Sequence, residues 1–334
     1  MNNVFALHKS ATVDMLLLPI QKYLDDPNVD EVTINQPKEI WTKNFNGWTR
    51  HEIPELTLQH IQSLITAVCT YNSVKEATNL SLRMPKGERA QITTFPALID
   101  GQISFNIRKH GERVFTLEEL NEQGAFKDWK DTKLDGGISE IDKHLLELKE
   151  SNKIMEFLQA AILNHKNIII AGATGSGKTT FARALIKKVP TTERIITIED
   201  VHELFLPEHP NKLHMMFGTG TGRITADEAL TACMRLSPDR IFLAELRGNE
   251  AWEYLNSLNT GHSGSITTVH ANSAAHTFER VATLIKKSDV GRMIDLETIN
   301  LTLKTTLEVV LFFKRRKLVE IYFDPIGASK LKLT

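Results

Sequence analysis

The chain is 334 residues long, room for two domains of ordinary size. Hydrophobic residues make up 41% and charged residues 24%, which excludes a disordered chain, and a net charge of −1 weighs against a protein whose main work is gripping nucleic acid. Two cysteines, Cys69 and Cys233, exclude a disulfide framework and a cysteine zinc module and fit a reducing compartment.

No apolar stretch approaches the ~20 residues needed to cross a bilayer. Met15-Leu16-Leu17-Leu18-Pro19-Ile20 is short, follows Asp14 and lacks a small-residue cleavage site, so it reads as part of an amphipathic helix in a core. Composition leaves peripheral attachment to a membrane open. From about Val29 to Lys109 the pattern is that of an α+β unit. Glu31-Val32-Thr33-Ile34 alternates polar and apolar residues, and strands around Ile40-Trp41 and Trp48-Thr49 flank Asn46-Gly47, a hairpin signal. Leu58, Ile61, Leu64, Ile65 and Val68 trace a helical stripe. A second hairpin is expected from Arg89–Phe95 and Gln102–Arg108. Pairing Phe95 with Gln102 brings Arg89 opposite Arg108. Facing like charges destabilise a strand pair unless an anion sits between them; the alternative is two solvated, splayed arginines.

The polar stretch from Asp128 to Ser139 is the best linker candidate, giving an N-terminal domain over 1–130, a linker over 131–145 and a second domain over 146–334. Beyond the linker, apolar strands alternate with helices: Ile168–Ala171, Ile195–Ile198, Ile241–Ala244, Ser265–Val269 and Val309–Phe313. That rhythm predicts an α/β fold with a parallel sheet covered on both faces.

After the first of these strands come Gly172, Ala173, Thr174, Gly175, Ser176, Gly177, Lys178 and Thr179, the spacing of a phosphate-binding loop, followed by Thr180. Such a loop wraps a β-phosphate in backbone N–H groups, reaches the β/γ oxygens with its lysine and holds Mg²⁺ with its hydroxyl. A helix from Thr179 to Val189, ended by Pro190, aims its positive end at that anion. The expected substrate is ATP with Mg²⁺. Three further strand ends carry acid or imidazole: Glu199, Asp200 and Glu203; Glu245; and His270. An NTPase needs a carboxylate near the γ-phosphate. Glu245, directly after a buried strand, is assigned to water activation. Glu199, Asp200 and Glu203 are assigned to metal and water support, with Thr179, Glu199 and Glu245 as metal ligands. His270 is either a γ-phosphate sensor or a structural histidine.

Together the phosphate loop, Thr197-Ile198-Glu199-Asp200, Ala244-Glu245-Leu246-Arg247-Gly248 and Gly264-Ser265-Ile266-Thr267-Thr268-Val269-His270 resemble the secretion ATPase superfamily. Within it, the chain is similar to the VirB-type traffic ATPases of type IV secretion systems. The resemblance extends to Glu31-Val32-Thr33-Ile34-Asn35-Gln36-Pro37, Gly87-Glu88-Arg89, Ile107-Arg108-Lys109 and Glu320-Ile321-Tyr322-Phe323-Asp324-Pro325. It implies a C-terminal RecA-like P-loop domain and a smaller N-terminal α+β domain that closes over ATP, with Arg89 and Arg108 on the phosphates. It also implies a ring of six, partner subunits of the secretion machine including its coupling protein, no specific nucleic-acid binding, and peripheral association with the cytoplasmic face of the inner membrane. A pilus-retraction or type II secretion motor, or a DNA-translocating motor, stays open as the alternative.

Overall fold

The structure is a computed structural model that describes residues 3–109, 115–127, 129 and 137–331. The chain divides into two compact units, 1–94 with 101–134, and 95–100 with 135–334. Of the expected linker, 131–136 lie outside the described residues. Residues 140–145 belong to a helix capped by Ser139, which accepts the Asp142 N–H.

The N-terminal unit opens with α1 (Asn3–Leu17), a 3₁₀ turn at Pro19 and α2 (Gln21–Leu24). Val13, Leu17, Ile20 and Leu24 are buried while Met15 and Leu18 are exposed, so one side of this segment packs into the core. Six strands follow: β1 (Glu31–Ile34), β2 (Glu39–Asn44), β3 (Gly47–Glu52), β4 (Asn79–Arg83), β5 (Arg89–Thr93) and β6 (Ser104–Arg108). Helix α3 (Leu58–Tyr71) stands between β3 and β4, and α4 (Leu117–Glu122) follows β6. The sheet runs β3-β2-β1-β6-β5-β4, antiparallel throughout. Ile61, Leu64, Ile65 and Val68 of α3 pack with Val32, Ile92, Phe105 and Ile107 in one core. Strand β4 was not anticipated.

The expected register is present: Arg89 lies opposite Arg108. The ladder closes earlier than expected, at Thr93–Ser104. Pro96 has no N–H to continue it. Phe95–Asp100 instead belongs to the C-terminal unit, where Met216 N–H donates to the Ala97 carbonyl (2.8 Å) and Leu98 bridges Met215.

The C-terminal unit carries α5 (Glu140–Glu150), α6 (Ile154–Leu163), β7 (Ile168–Gly172), α7 (Lys178–Ile186), β8 (Ile195–Glu199), β9 (Lys212–Met216), α8 (Ala226–Cys233), β10 (Arg240–Leu243), α9 (Glu250–Asn259) and β11 (Ile266–Val269). It ends with α10 (Ala274–Lys287), α11 (Leu296–Thr306), β12 (Val309–Lys314), β13 (Lys317–Tyr322) and α12 (Pro325–Leu331). Strand order is β13-β12-β7-β11-β10-β8-β9, parallel except for the β12–β13 hairpin. Two apolar clusters, one around Ile169, Ile198, Leu243 and Val269 and the other around Ile168, Ile170, Phe242 and Leu311, belong to opposite faces. The unit is therefore an α/β layer structure, as the strand–helix rhythm predicts. All five expected strands are present; β9 and β13 were not anticipated.

At the amino edge of this sheet the buried Arg240 ties elements together. Its Nε and Nη2 donate to Glu193 (2.5 and 3.1 Å), and Nη1 donates to the carbonyls of Ile162 and Gly264. Burial alone would push the Glu193 carboxyl up. Hydrogen bonds from His165 and Arg240 more than reverse this and bring it to about 2. Among the described residues no helix is long and apolar enough to cross a membrane.

Candidate active site

Strand β7 delivers the chain to Gly172, and α7 begins at Lys178. Gly172 has φ +155°, and a Cβ there would lie 2.5 Å from the Phe313 carbonyl oxygen and 2.6 Å from Ser176 Oγ. Only glycine fits. Gly177, at φ +96°, caps α7 in the left-handed region. Ala173, Thr174 and Gly175 form the exposed crest of the loop, whereas Ser176 turns inward, its Oγ buried with no hydrogen-bond partner among the described residues. That spare hydroxyl suits an anion's oxygen. Thr179 is half-buried and Thr180 exposed at the start of α7. Both line an open cleft of about 520 Å³ with Phe181, Ala184, Phe313 and Arg316.

Lys178 is only 7% exposed; its Nζ donates to the carbonyls of Gly172 (2.9 Å) and Ala173 (3.1 Å). Burial pulls its pKa down, and the Glu245 charge partly restores it. Nζ also lies 3.3 Å from His270 Nδ1. An ammonium can only donate, so Nδ1 accepts and the other ring nitrogen carries hydrogen. That Nε2 is 3.0 Å from Glu245 Oε1. Glu245 Oε2 in turn accepts from Arg247 Nη2 at 2.8 Å, and Arg247 Nη1 contacts Asp200 Oδ2. The hydrogen bond to Glu245, then the charges of Glu245 and Asp200, raise the Arg247 pKa further. Lys178, His270, Glu245, Arg247 and Asp200 thus form one unbroken polar chain beside the loop. Asp200 Oδ1 accepts the Val201 N–H, and its carbonyl accepts from Arg223.

Glu199 has different company. It is fully buried; Oε2 accepts the N–H groups of Glu203 and Leu204, both at 2.7 Å, and Oε1 accepts the Thr197 hydroxyl at 2.6 Å. Burial alone would raise its pKa. The hydrogen bonds of His214, Thr197, Leu204 and Glu203 outweigh it and hold the carboxyl at about 2. Burial lowers the His214 pKa, opposed by the Glu199 hydrogen bond. Glu203 is exposed, and its backbone is bonded on both sides: its N–H donates to Glu199 and its carbonyl accepts Arg183 Nε at 2.5 Å.

Arg89 and Arg108 belong to the N-terminal unit. There Arg83, Arg89, Arg108 and Glu31 are successive cross-strand partners, so three guanidinium groups stand side by side on one face. Arg108 Nε reaches Glu31 Oε1 at 3.7 Å.

Sequence reasoning named Glu245, His270, Lys178 and Asp200, which the fold brings together. It missed Arg247 as the link between Glu245 and Asp200, although an arginine two residues after the acid was a visible signal. Arg83 was missed with its strand. Arg316 was missed too; the signal was the basic run Lys314-Arg315-Arg316-Lys317. Arg315 and Arg316 both have positive φ (49° and 63°) in the β12–β13 turn, and the Arg316 N–H donates to the Ser176 carbonyl at 3.1 Å.

Residues 18–319 match the family model described as Type II/IV secretion system protein. The chain is 37% identical to the type IV secretion system protein VirB11 of Brucella suis biovar 1 (strain 1330), over 98% of this chain and 94% of that one. It is 36% identical to the type IV secretion system protein PtlH of Bordetella pertussis (strain Tohama I / ATCC BAA-589 / NCTC 13251), over 94% of each. The crystal structure of the VirB11 ATPase from the Brucella suis type IV secretion system, in complex with sulphate, superposes with a TM-score of 0.92 at 38% identity, covering 98% of this chain and 99% of that one. The expected α/β fold and the expected kinship are both borne out: the chain belongs to the type II/IV secretion system protein family, on its VirB11 ATPase branch.

Proposed function

We propose that the protein is the ATP hydrolase of a type IV secretion system, a ring of six subunits that turns ATP turnover into domain motion. The observation that carries this reading is the polar chain from Lys178 through His270 and Glu245 to Arg247 and Asp200, beside a glycine loop built for phosphate. In this reading the loop backbone from Gly172 to Gly177 and the Ser176 hydroxyl bind phosphate oxygens, and Lys178 leaves the loop carbonyls for the γ-phosphate. Glu245 takes the proton of the attacking water, Arg247 and Asp200 fix its carboxylate, and His270 registers the γ-phosphate by losing its contact with Lys178. Glu199 and Glu203 act by shaping the turn that carries Asp200.

The donor set suits Mg²⁺: the Thr179 hydroxyl and the Glu245 carboxylate are hard oxygens, whereas Glu199, the third expected ligand, is sealed in its turn with both oxygens hydrogen-bonded. Mg²⁺ bound there neutralises charge on the β- and γ-phosphates. Arg89 and Arg108 are read as phosphate ligands that draw the N-terminal domain onto ATP, a role supported by the row of guanidinium groups they form within their own sheet. Kinship supports partners among the inner-membrane subunits of the machine and its coupling protein, with the ring peripheral to the cytoplasmic face.

Lys178→Ala tests the reading. Turnover should fall to background, with weak nucleotide binding kept by the loop backbone. ATPase activity near wild type would end the proposal. The ring is checked separately by light scattering with Mg-ATP, where monomer alone at micromolar protein contradicts it.

A further inference from the structure

Beside Asp200, the sealed Glu199 carboxylate meets two histidines that the proposed nucleotide chemistry does not use. Glu199 ends β8, His202 lies in the following turn and His214 sits in β9, with Thr197 as its cross-strand partner. Glu199 Oε1 is 3.3 Å from His202 Nδ1 and 3.4 Å from His214 Nδ1. One donor atom from each of the three residues lies within 4.8 Å of the others, and the two imidazole rings meet edge to face at 4.4 Å. We propose that Glu199 Oε1, His202 Nδ1 and His214 Nδ1 form a binding site for a divalent transition metal of the Zn²⁺ type. The site is separate from the Mg²⁺ expected beside the nucleotide, and it does not depend on the nucleotide reading.

Spacing is the first argument. Four-coordinate Zn²⁺ with bonds of about 2.0–2.1 Å to nitrogen and oxygen sets neighbouring ligand atoms roughly 3.4 Å apart. Both carboxylate–imidazole edges, at 3.3 and 3.4 Å, already have that length. The second argument is preorganisation. Glu199 Oε2 is held by two backbone N–H groups and Oε1 by the Thr197 hydroxyl. Such outer contacts orient a ligating carboxylate and leave Oε1 a lone pair facing the imidazoles. The third is chemistry: two imidazoles and one carboxylate favour Zn²⁺, Ni²⁺ or Cu²⁺ over Mg²⁺. Access comes from His202, whose side chain is 25% exposed while those of His214 and Glu199 are 2% and 0%. The solvent side of His202 is therefore where a water would complete the coordination.

The same atoms also make hydrogen bonds. His214 Nδ1 lies 2.8 Å from Thr197 Oγ1, which donates to Glu199. Binding requires each imidazole to carry its hydrogen on Nε2 and present Nδ1 as a lone pair, a tautomer change with no change of charge. The Thr197–Glu199 bond survives it. A bound ion would fasten β9 to the 199–204 turn.

Tag-free protein stripped by a chelator and titrated with Co²⁺ tests this directly. The expected result is one equivalent per chain, with visible ligand-field bands of four-coordinate Co²⁺ that Zn²⁺ removes and millimolar Mg²⁺ does not. Zn²⁺ should also raise Tm. His202→Ala, a half-buried change that spares the core, should weaken binding by more than the roughly 10–100-fold that an outer-shell change costs. It should abolish the Zn²⁺ effect on Tm. His214→Gln should behave alike, and Lys178→Ala should bind metal as wild type does. Absence of the bands, or bands that persist in both histidine variants, would overturn the assignment, the latter by placing the ion at another cluster such as His270 and His276.

Discussion

Replacing Glu245 by glutamine removes the proposed base while keeping its shape, and the surrounding contacts set what else changes. Glu245 accepts twice, from Arg247 Nη2 at 2.8 Å and from His270 Nε2 at 3.0 Å. Arg247 offers only donors, and His270 is kept a donor at Nε2 by the Lys178 ammonium at its other nitrogen. A glutamine can satisfy one of these with its carbonyl and must turn its NH₂ toward the other. One charge-assisted contact is therefore lost, worth about 1.5–3 kcal/mol, and it falls on the resting geometry rather than on phosphate binding. The base itself typically contributes about 10²–10⁴ in rate, some 3–5 kcal/mol of barrier. The expected outcome is a kcat down by at least 10² with ATP affinity within about tenfold of wild type. Single-turnover hydrolysis and equilibrium ATP binding separate the two quantities. A kcat within a few-fold of wild type, with binding intact, would refute the assignment and move the base to Glu203, the next exposed acid on that edge.

The arginine row predicts a sign that a surface residue would not show. Arg89 faces Arg83 on one side and Arg108 on the other, whereas Arg108 also has Glu31. Arg89→Ala should stabilise the nucleotide-free protein by the few tenths to ~1 kcal/mol that facing like charges cost, read as a raised Tm, and Arg108→Ala should not. The Arg89→Ala/Arg108→Ala pair should lose ATP affinity more than ADP affinity and should lower kcat; unchanged values would leave two solvated arginines. Acid stability tests the buried carboxylates. Glu193 and Glu199 are both held at about 2 against an ordinary 4.5. Their folded pKa values are depressed, so their stabilisation, about 3 kcal/mol each, is complete above pH 4.5 and is lost as pH falls toward 2. Urea midpoints from pH 6 to 2.5 should drop steeply below pH 4.5. Glu193→Gln should flatten that fall and destabilise at pH 7, because it leaves Arg240 buried without its counter-charge; an unchanged midpoint at pH 7 would contradict a stabilising Glu193–Arg240 pair.

Local pattern carried much of this fold. The Asn46-Gly47 hairpin, the α3 stripe and five apolar strands were legible because each states its own period or turn chemistry. Strand β4 alternates as Asn79-Leu80-Ser81-Leu82-Arg83, but neither face is fully buried, so its signal is weak. Strand β9 begins with Lys212 and buries His214, a residue whose partners Glu199 and Thr197 lie 15 and 17 positions away. The phosphate loop was legible because backbone geometry dictates its glycines. The roles of Glu199 and Arg247 were not, because they depend on which strand ends become neighbours. Glu199 reads as an acid at a strand end, like Glu245; only the fold shows one sealed in a turn and the other facing the loop.

Strand order explains why the polar chain takes the path it does. In sequence the loop-bearing β7 is followed by β8, but in the sheet β11 and β10 stand between them. Lys178 follows β7, His270 follows β11, Glu245 and Arg247 follow β10 and Asp200 follows β8, so the chain runs along the carboxyl edge of the sheet strand by strand, with Arg247 making the last step to Asp200. A crossover fold places at adjacent strand ends residues that are up to 92 positions apart, as Lys178 and His270 are. Each member also holds its neighbour's protonation or rotamer: Lys178 sets the His270 tautomer, His270 and Arg247 hold the two Glu245 oxygens, and Asp200 steadies Arg247. On the proposed assignment a triphosphate competes for the ammonium at one end of this chain, while the attacking water needs the carboxylate in its middle. Binding of substrate and release of the base would then be coupled through a single imidazole, which would give His270 a reason to stand at that strand end that a purely structural histidine would not have.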